Sequence, residues 1–163
     1  NPRFIFYSEQ YRAALEHLLY GLQEKEGFML VTGPVGTGKT TLCRELLESL
    51  DREKHRTALI FNPFLNGTEM LQALLTEFGC SYPPGASRKE LLDRLNRYLL
   101  SQLIDGKTCV AIFDEAHQLN ETGVQFLGRQ LGTGQVLDFA RDLLAAGLQL
   151  ARLLACLIPS AAM

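Results

Sequence analysis

Three short apolar runs punctuate the chain: Phe28 to Thr32, Thr57 to Phe61 and Cys109 to Phe113. None alternates polar with apolar, and helical sequence separates each from the next, so they read as strands buried on both faces of a parallel sheet. Between them, apolar residues recur at helical spacing. Ala14, Leu15, Leu18, Leu19 and Leu22 share one face of a helix that Ser8 can cap, after an aromatic-rich extended stretch from Arg3 to Tyr7. Leu42, Leu46, Leu47 and Leu50 mark a second helix, beginning near Lys39. A third runs from Gly67 to Phe78, with Thr68 as a cap and Gly79 beyond its end. Ser87-Arg88-Lys89-Glu90 is a capping box, opening a fourth helix that ends near Ile104 with Gly106 after it. Leu143, Leu144, Leu148, Leu150, Leu153, Leu154 and Leu157 predict a helical tail. The fold class is therefore α/β: three layers, α/β/α, around a parallel central sheet, with an atypical C-terminal part.

The turn from the first strand into the second helix carries the most informative residues, Gly33-Pro34-Val35-Gly36-Thr37-Gly38-Lys39-Thr40-Thr41. This is G-x-x-x-x-G-K-[ST] with the strand and helix flanks of a P-loop. Glycines let successive backbone N–H groups turn inward around a phosphate, and the helix N-terminus adds partial positive charge. Lys39 is placed to reach the β- and γ-phosphates, Thr40 to ligate Mg²⁺ and Thr41 to bond the α-phosphate side. ATP with Mg²⁺ is the expected ligand. The aromatic lead-in and first helix could form one wall of an adenine pocket or simply pack on the sheet.

At the carboxyl end of the third apolar run stand Asp114-Glu115-Ala116-His117. Open parallel sheets bind ligands at that edge, so these acids and the loop belong together. Asp114 is in the position that holds Mg²⁺, and Glu115 is placed to orient and deprotonate the water attacking the γ-phosphate. Glu115 and Lys39 are thus the candidate catalytic residues. Asn62, closing the second strand before Pro63, is either a turn residue or a switch that holds Glu115 away from water.

Composition narrows the rest. A chain of 163 residues is one domain: a lead-in and helix over 1–26, an ATPase core over 27–121 and a divergent, helical tail over 122–163. The net charge of −2 argues against a strongly electrostatic nucleic-acid binder, and the bases Arg88, Lys89, Arg94 and Arg97 read as a solvated helix face. Cys43, Cys80, Cys109 and Cys156 lack zinc-binding spacing and read as reduced, packed thiols. The opening Asn1-Pro2-Arg3 points to an excerpt of a longer protein.

With these residues placed, the chain resembles the AAA+ ATPases of the general secretion pathway protein A type, within the origin-recognition-like group. The resemblance rests on Pro2-Arg3-Phe4, Tyr11-Arg12-Ala13-Ala14-Leu15, Tyr20-Gly21-Leu22, Gly33 to Thr41 with Leu42-Cys43-Arg44, Asn62-Pro63, Glu90 to Asn96 and Asp114-Glu115-Ala116. It implies an ATPase module at the cytoplasmic face of a bacterial inner membrane. Its partners would be further copies in a ring and an inner-membrane secretion protein, and its work the assembly of a secretion complex. After about Glu121 the resemblance decays. Gly123, Gly128, Gly132 and Gly134 interrupt the next helix, and Arg129, Arg141 and Arg152 are the only downstream arginines available as sensor or finger. Without a sensor strand between the loop strand and the Asp114 strand, the sheet has a gap unless the tail fills it or the two pair directly.

Two other classes compete. A DNA-associated transposition or replication ATPase shares the same core, with nucleic acid as a less favoured partner. A nucleotide-binding scaffold with little turnover would follow from the missing tail elements. The letters Asp114 to His117 also spell a helicase box, but no room remains for the second domain that a helicase needs.

Overall fold

The computed structural model describes residues 9–24, 28–34, 36–61 and 66–114, together with the backbone of 151–157. Within them the order is α1 (Glu9–Gln23), β1 (Phe28–Thr32), α2 (Lys39–Ser49), β2 (His55–Ile60), α3 (Gly67–Glu77), α4 (Arg88–Ile104), β3 (Thr108–Phe113) and β4 (Ala151–Leu157).

The three apolar runs form β1, β2 and β3. β2 begins two residues before the apolar stretch, because parallel pairing with β3 matches His55 to Thr108 and Arg56 to Cys109. Side chains on a strand point alternately to opposite faces, and β3 uses both. Cys109, Ala111 and Phe113 pack with Ala58 and Ile60 against Met70, Leu71, Leu74 and Leu75 of α3 and Leu91, Leu95 and Leu99 of α4. Val110 and Ile112 pack instead with Leu18 and Leu22 of α1 and Leu42, Cys43, Leu46 and Leu50 of α2. A strand with both neighbours paired and both faces covered has no polar position to offer. That is why β3 reads as an unbroken apolar run.

The helix ends follow local hydrogen bonding. α3 is capped by Asn66 rather than by Thr68: the Asn66 side chain accepts from Thr68 N at 3.0 Å and Glu69 N at 2.9 Å. Glu69 Oε2 accepts from Asn66 N at 2.9 Å, which completes the reciprocal box. The box at α4 is the one expected, with Glu90 Oε2 accepting from Ser87 N at 2.7 Å and Glu90 N donating to Ser87 Oγ at 3.3 Å. The bonds that Ser87 N and, at 2.8 Å, Ser87 Oγ donate to Glu90 Oε2 hold that carboxyl below its usual pKa.

The largest departure from the sequence reading lies in the tail. Ala151–Leu157, expected as part of a helix, is a strand inserted into the sheet, whose order is β1-β4-β3-β2. β4 runs antiparallel to both neighbours, pairing Met29 with Leu154 on one side and Ile112 with Leu154 on the other. The sheet is therefore mixed rather than parallel, and the gap is filled from the tail. Leu and Ala spaced for a helix also suit a strand flanked on both sides, where every position is enclosed and no period is imposed.

Candidate functional site

The glycine-rich loop departs from β1 and enters α2 through two glycines with left-handed backbone, Gly36 at φ 81° and Gly38 at φ 83°. Only glycine adopts this conformation without strain. Gly38 is the N-cap of α2, and its carbonyl accepts from Leu42 N at 2.8 Å. At a third glycine the fit is close: a Cβ on Gly33 would stand 3.0 Å from Thr37 Oγ1, so the threonine would have to shift to admit it. That hydroxyl donates to Pro34 O at 2.9 Å.

Lys39 crosses the same loop. Its Nζ donates to Gly33 O and to Pro34 O, each at 2.6 Å. An ammonium has three donors, so two bonds fix the charge over the loop and leave one for a ligand. Thr40 is exposed on the first turn of α2 and Thr41 is half-buried behind it. The loop residues the sequence singled out are thus gathered around one turn, apart from Val35, which lies outside the described residues.

Asp114 follows β3, half-buried, with its N–H donated to Ile60 O at 2.9 Å. Since β4 is antiparallel to both β1 and β3, those two strands run the same way and end at the same rim. Leu153 pairs with both Leu30 and Phe113, which sets those two residues level across β4. Gly33 lies three residues beyond Leu30 and Asp114 one beyond Phe113. At sheet spacings their backbones are roughly 10 Å apart across the strands and about 7 Å along them. Loop and acid therefore share an edge. Glu115 and Asn62 lie outside the described residues, as do Arg129 and Arg141, while Arg152 is described by its backbone alone, opposite Val31.

This loop and acid on one sheet edge set the frame for comparison with known proteins. The chain matches the family described as AAA domain over residues 22–155. It belongs to that family. The match continues past Glu121, where the sequence resemblance was read to decay, and takes in most of β4. This AAA domain is 44% identical over 119 residues to General secretion pathway protein A of Aeromonas hydrophila, covering 73% of the chain and 22% of that protein. It is 35% identical over 101 residues to ORC1-type DNA replication protein 9 of Halobacterium salinarum, covering 58% of the chain and 27% of the relative. The chain thus spans about a quarter of the length of these curated relatives. No solved structure matches.

Away from the rim, the side chains of this AAA domain fit structural roles. Arg94 donates to Ser81 O at 3.2 Å and Arg97 to Asp93 O at 3.3 Å, so both guanidinium groups are spent partly on local carbonyls. Cys43 and Cys109 are buried and Cys80 is half-buried, and none of the three is in a disulfide. Burial pushes the Cys109 thiol up to about 12, against the opposing Arg56 charge, so it is a packing group rather than a nucleophile. Among the described residues no helix is long and apolar enough to cross a membrane.

What sequence reasoning missed was the support around the loop. Tyr11 of α1 donates its hydroxyl to Glu45 Oε2 of α2 at 2.8 Å, and its ring lies beside Gly38. A tyrosine on a helix face carries no local signal for such a pairing 34 residues away.

Proposed function

We propose that this AAA domain binds Mg·ATP and hydrolyses it, as the motor module of a protein of the general secretion pathway protein A type. The observation that carries the reading is the common edge on which the Lys39 loop and Asp114 meet. In this reading the loop N–H groups between Gly33 and Thr41 surround the β-phosphate, and Lys39 extends its remaining N–H to the β- and γ-phosphates. Thr40 and Asp114 offer hydroxyl and carboxylate oxygen, the donor types that Mg²⁺ takes, and they are the residues that would hold it. When bound, the metal neutralises charge developing on the phosphates. Glu115 orients the attacking water and accepts its proton, and Asn62 restrains Glu115 until a partner engages. The helices packed on either face of β3 are read as the outer layers of an α/β/α sandwich.

At the level of the cell, the reading is an ATPase working from the cytoplasmic face of the inner membrane. It acts as a ring of copies with a membrane secretion protein, to assemble an envelope complex. Likeness to a DNA replication protein supports a second reading, an ATPase acting on DNA. Measuring Mg·ATP affinity and phosphate release separates these. Wild type, Lys39→Ala, Asp114→Asn, Glu115→Gln and Asn62→Ala are compared with and without duplex DNA. The hydrolytic reading expects Lys39→Ala to lose binding and Glu115→Gln to bind without turnover. It expects Asp114→Asn to lose the Mg²⁺ dependence and Asn62→Ala to raise basal turnover. Stimulation by DNA favours the second reading. Tight binding with no turnover in the wild type leaves a nucleotide-binding scaffold.

A further inference from the structure

The side chain of Tyr11 is bonded to α2 at Glu45 and lies beside it at Gly38. Its hydroxyl donates to Glu45 Oε2 at 2.8 Å, and its ring carbon Cε2 stands 3.7 Å from where a Cβ on Gly38 would be. Gly38, Thr41 and Glu45 are spaced three and four apart, so they follow one line along the helix surface, and the Glu45 side chain leans back toward the N-terminus. One tyrosine thus lies along the same first turns of α2 that offer N–H groups to a phosphate. Its helix is itself anchored, because Leu18 and Leu22 are buried against Leu42 and Leu46. The apolar packing between α1 and α2 is non-directional, so by itself it fixes their separation better than their relative slide.

We propose that Tyr11 is a positioning residue for the phosphate loop: clamped between Gly38 and Glu45, it fixes α1 against the first turns of α2. So held, the left-handed turn at Gly38 keeps the shape that receives the nucleotide. The inference rests on the nucleotide-binding reading above and adds a residue outside the motif. Because the clamp acts on the loop and not on the base, it supports every nucleoside di- or triphosphate alike.

The test is calorimetric affinity for Mg·ATP, Mg·GTP and Mg·ADP, measured on wild type, Tyr11→Phe, Glu45→Ala, Glu45→Gln, the double variant Tyr11→Phe/Glu45→Ala, and Lys39→Ala. Tyr11→Phe keeps the ring and loses only the hydroxyl, and Glu45→Gln keeps an oxygen acceptor. The expected result is a loss of about tenfold in Tyr11→Phe and Glu45→Ala, the scale of one hydrogen bond to a charged group. The loss is equal for all three nucleotides, is not enlarged in the double variant, and is restored in Glu45→Gln. The proposal is overturned if Lys39→Ala abolishes binding while Tyr11→Phe and Glu45→Ala bind as wild type. A changed ATP-to-GTP ratio in Tyr11→Phe also overturns it, making the hydroxyl a base contact. Additive losses overturn it too, since the two groups then act separately. If Lys39→Ala binds as tightly as wild type, the nucleotide reading itself fails and the clamp falls with it.

Discussion

Removing β4 by ending the chain after Leu150 is the sharpest test of the sheet. β4 makes five registered pairs with β1 and five with β3, and β1 has no other strand beside it among the described residues. Those pairings correspond to roughly five ladder hydrogen bonds on each side. At about 1 kcal/mol net apiece, the ladder alone contributes on the order of 10 kcal/mol. Whole domains are stable by only about 5–15 kcal/mol, so the shortened chain is expected to lose cooperative unfolding altogether. Equilibrium urea unfolding followed by far-ultraviolet circular dichroism reads this directly. The single substitution Leu154→Pro serves as a subtler version. It removes one N–H from a strand paired on both edges, where proline is not accommodated, and leaving its carbonyl partner unpaired is expected to cost about 1–3 kcal/mol before any distortion of the ladder. A dispensable helical tail would behave otherwise. If the truncated chain unfolds at the urea concentration of the full chain with an unchanged slope, the inserted strand is refuted.

Other perturbations follow from local geometry. Asn66→Ala removes the acceptor of two N–H bonds at the start of α3 and is expected to cost about 1–2 kcal/mol, read as a lower urea midpoint. Thr68→Ala, at the residue that does not cap, should cost far less. Gly38→Ala places a Cβ on a left-handed backbone at about 1–2 kcal/mol and should weaken Mg·ATP binding more than it lowers the melting temperature. Cys109 and Tyr98 are both raised to about 12, chiefly by burial, from ordinary values of 9.0 and 10.0. The native state therefore keeps protons that the unfolded chain releases. Their contribution is complete below pH 9 and is lost by pH 12, from pH 9 upward for Cys109 at up to about 1.4 kcal/mol per unit, and from pH 10 upward for the more exposed Tyr98. Cys109→Ala should flatten that alkaline fall in a melting-temperature profile.

How far the sequence revealed the molecule depended on whether a feature was local. The capping box of Ser87 and Glu90, the loop glycines and the buried run of β3 are each set by residues within a few positions, and each stands where the pattern placed it. Asn66 was overlooked because Thr68 is an equally good capping type, and only the backbone angle at Asn66, φ −68° and ψ 170°, decides between them. His55 and Arg56 look like turn residues, yet partners on β3 draw them into a strand. The tail failed for a different reason. Its spacing suited a helix, while the space between β1 and β3 favoured a strand, and the direction of that strand leaves no mark on composition. For the site, the motif pointed to Lys39 but not to its two carbonyl partners. Nothing in the motif named Tyr11.

The order in which the strands are used also bears on biosynthesis. β1 is translated early, but the partner that flanks it lies more than a hundred residues downstream, so a nascent chain holds that strand unsatisfied until Ala151–Leu157 emerges. Pairings of such long sequence separation are slow to form and leave edges open to association meanwhile. β2 and β3 can join as soon as Phe113 emerges, whereas the loop-bearing half must wait. Production of this domain should accordingly be more sensitive to chaperone supply and to premature termination than its final stability alone would imply.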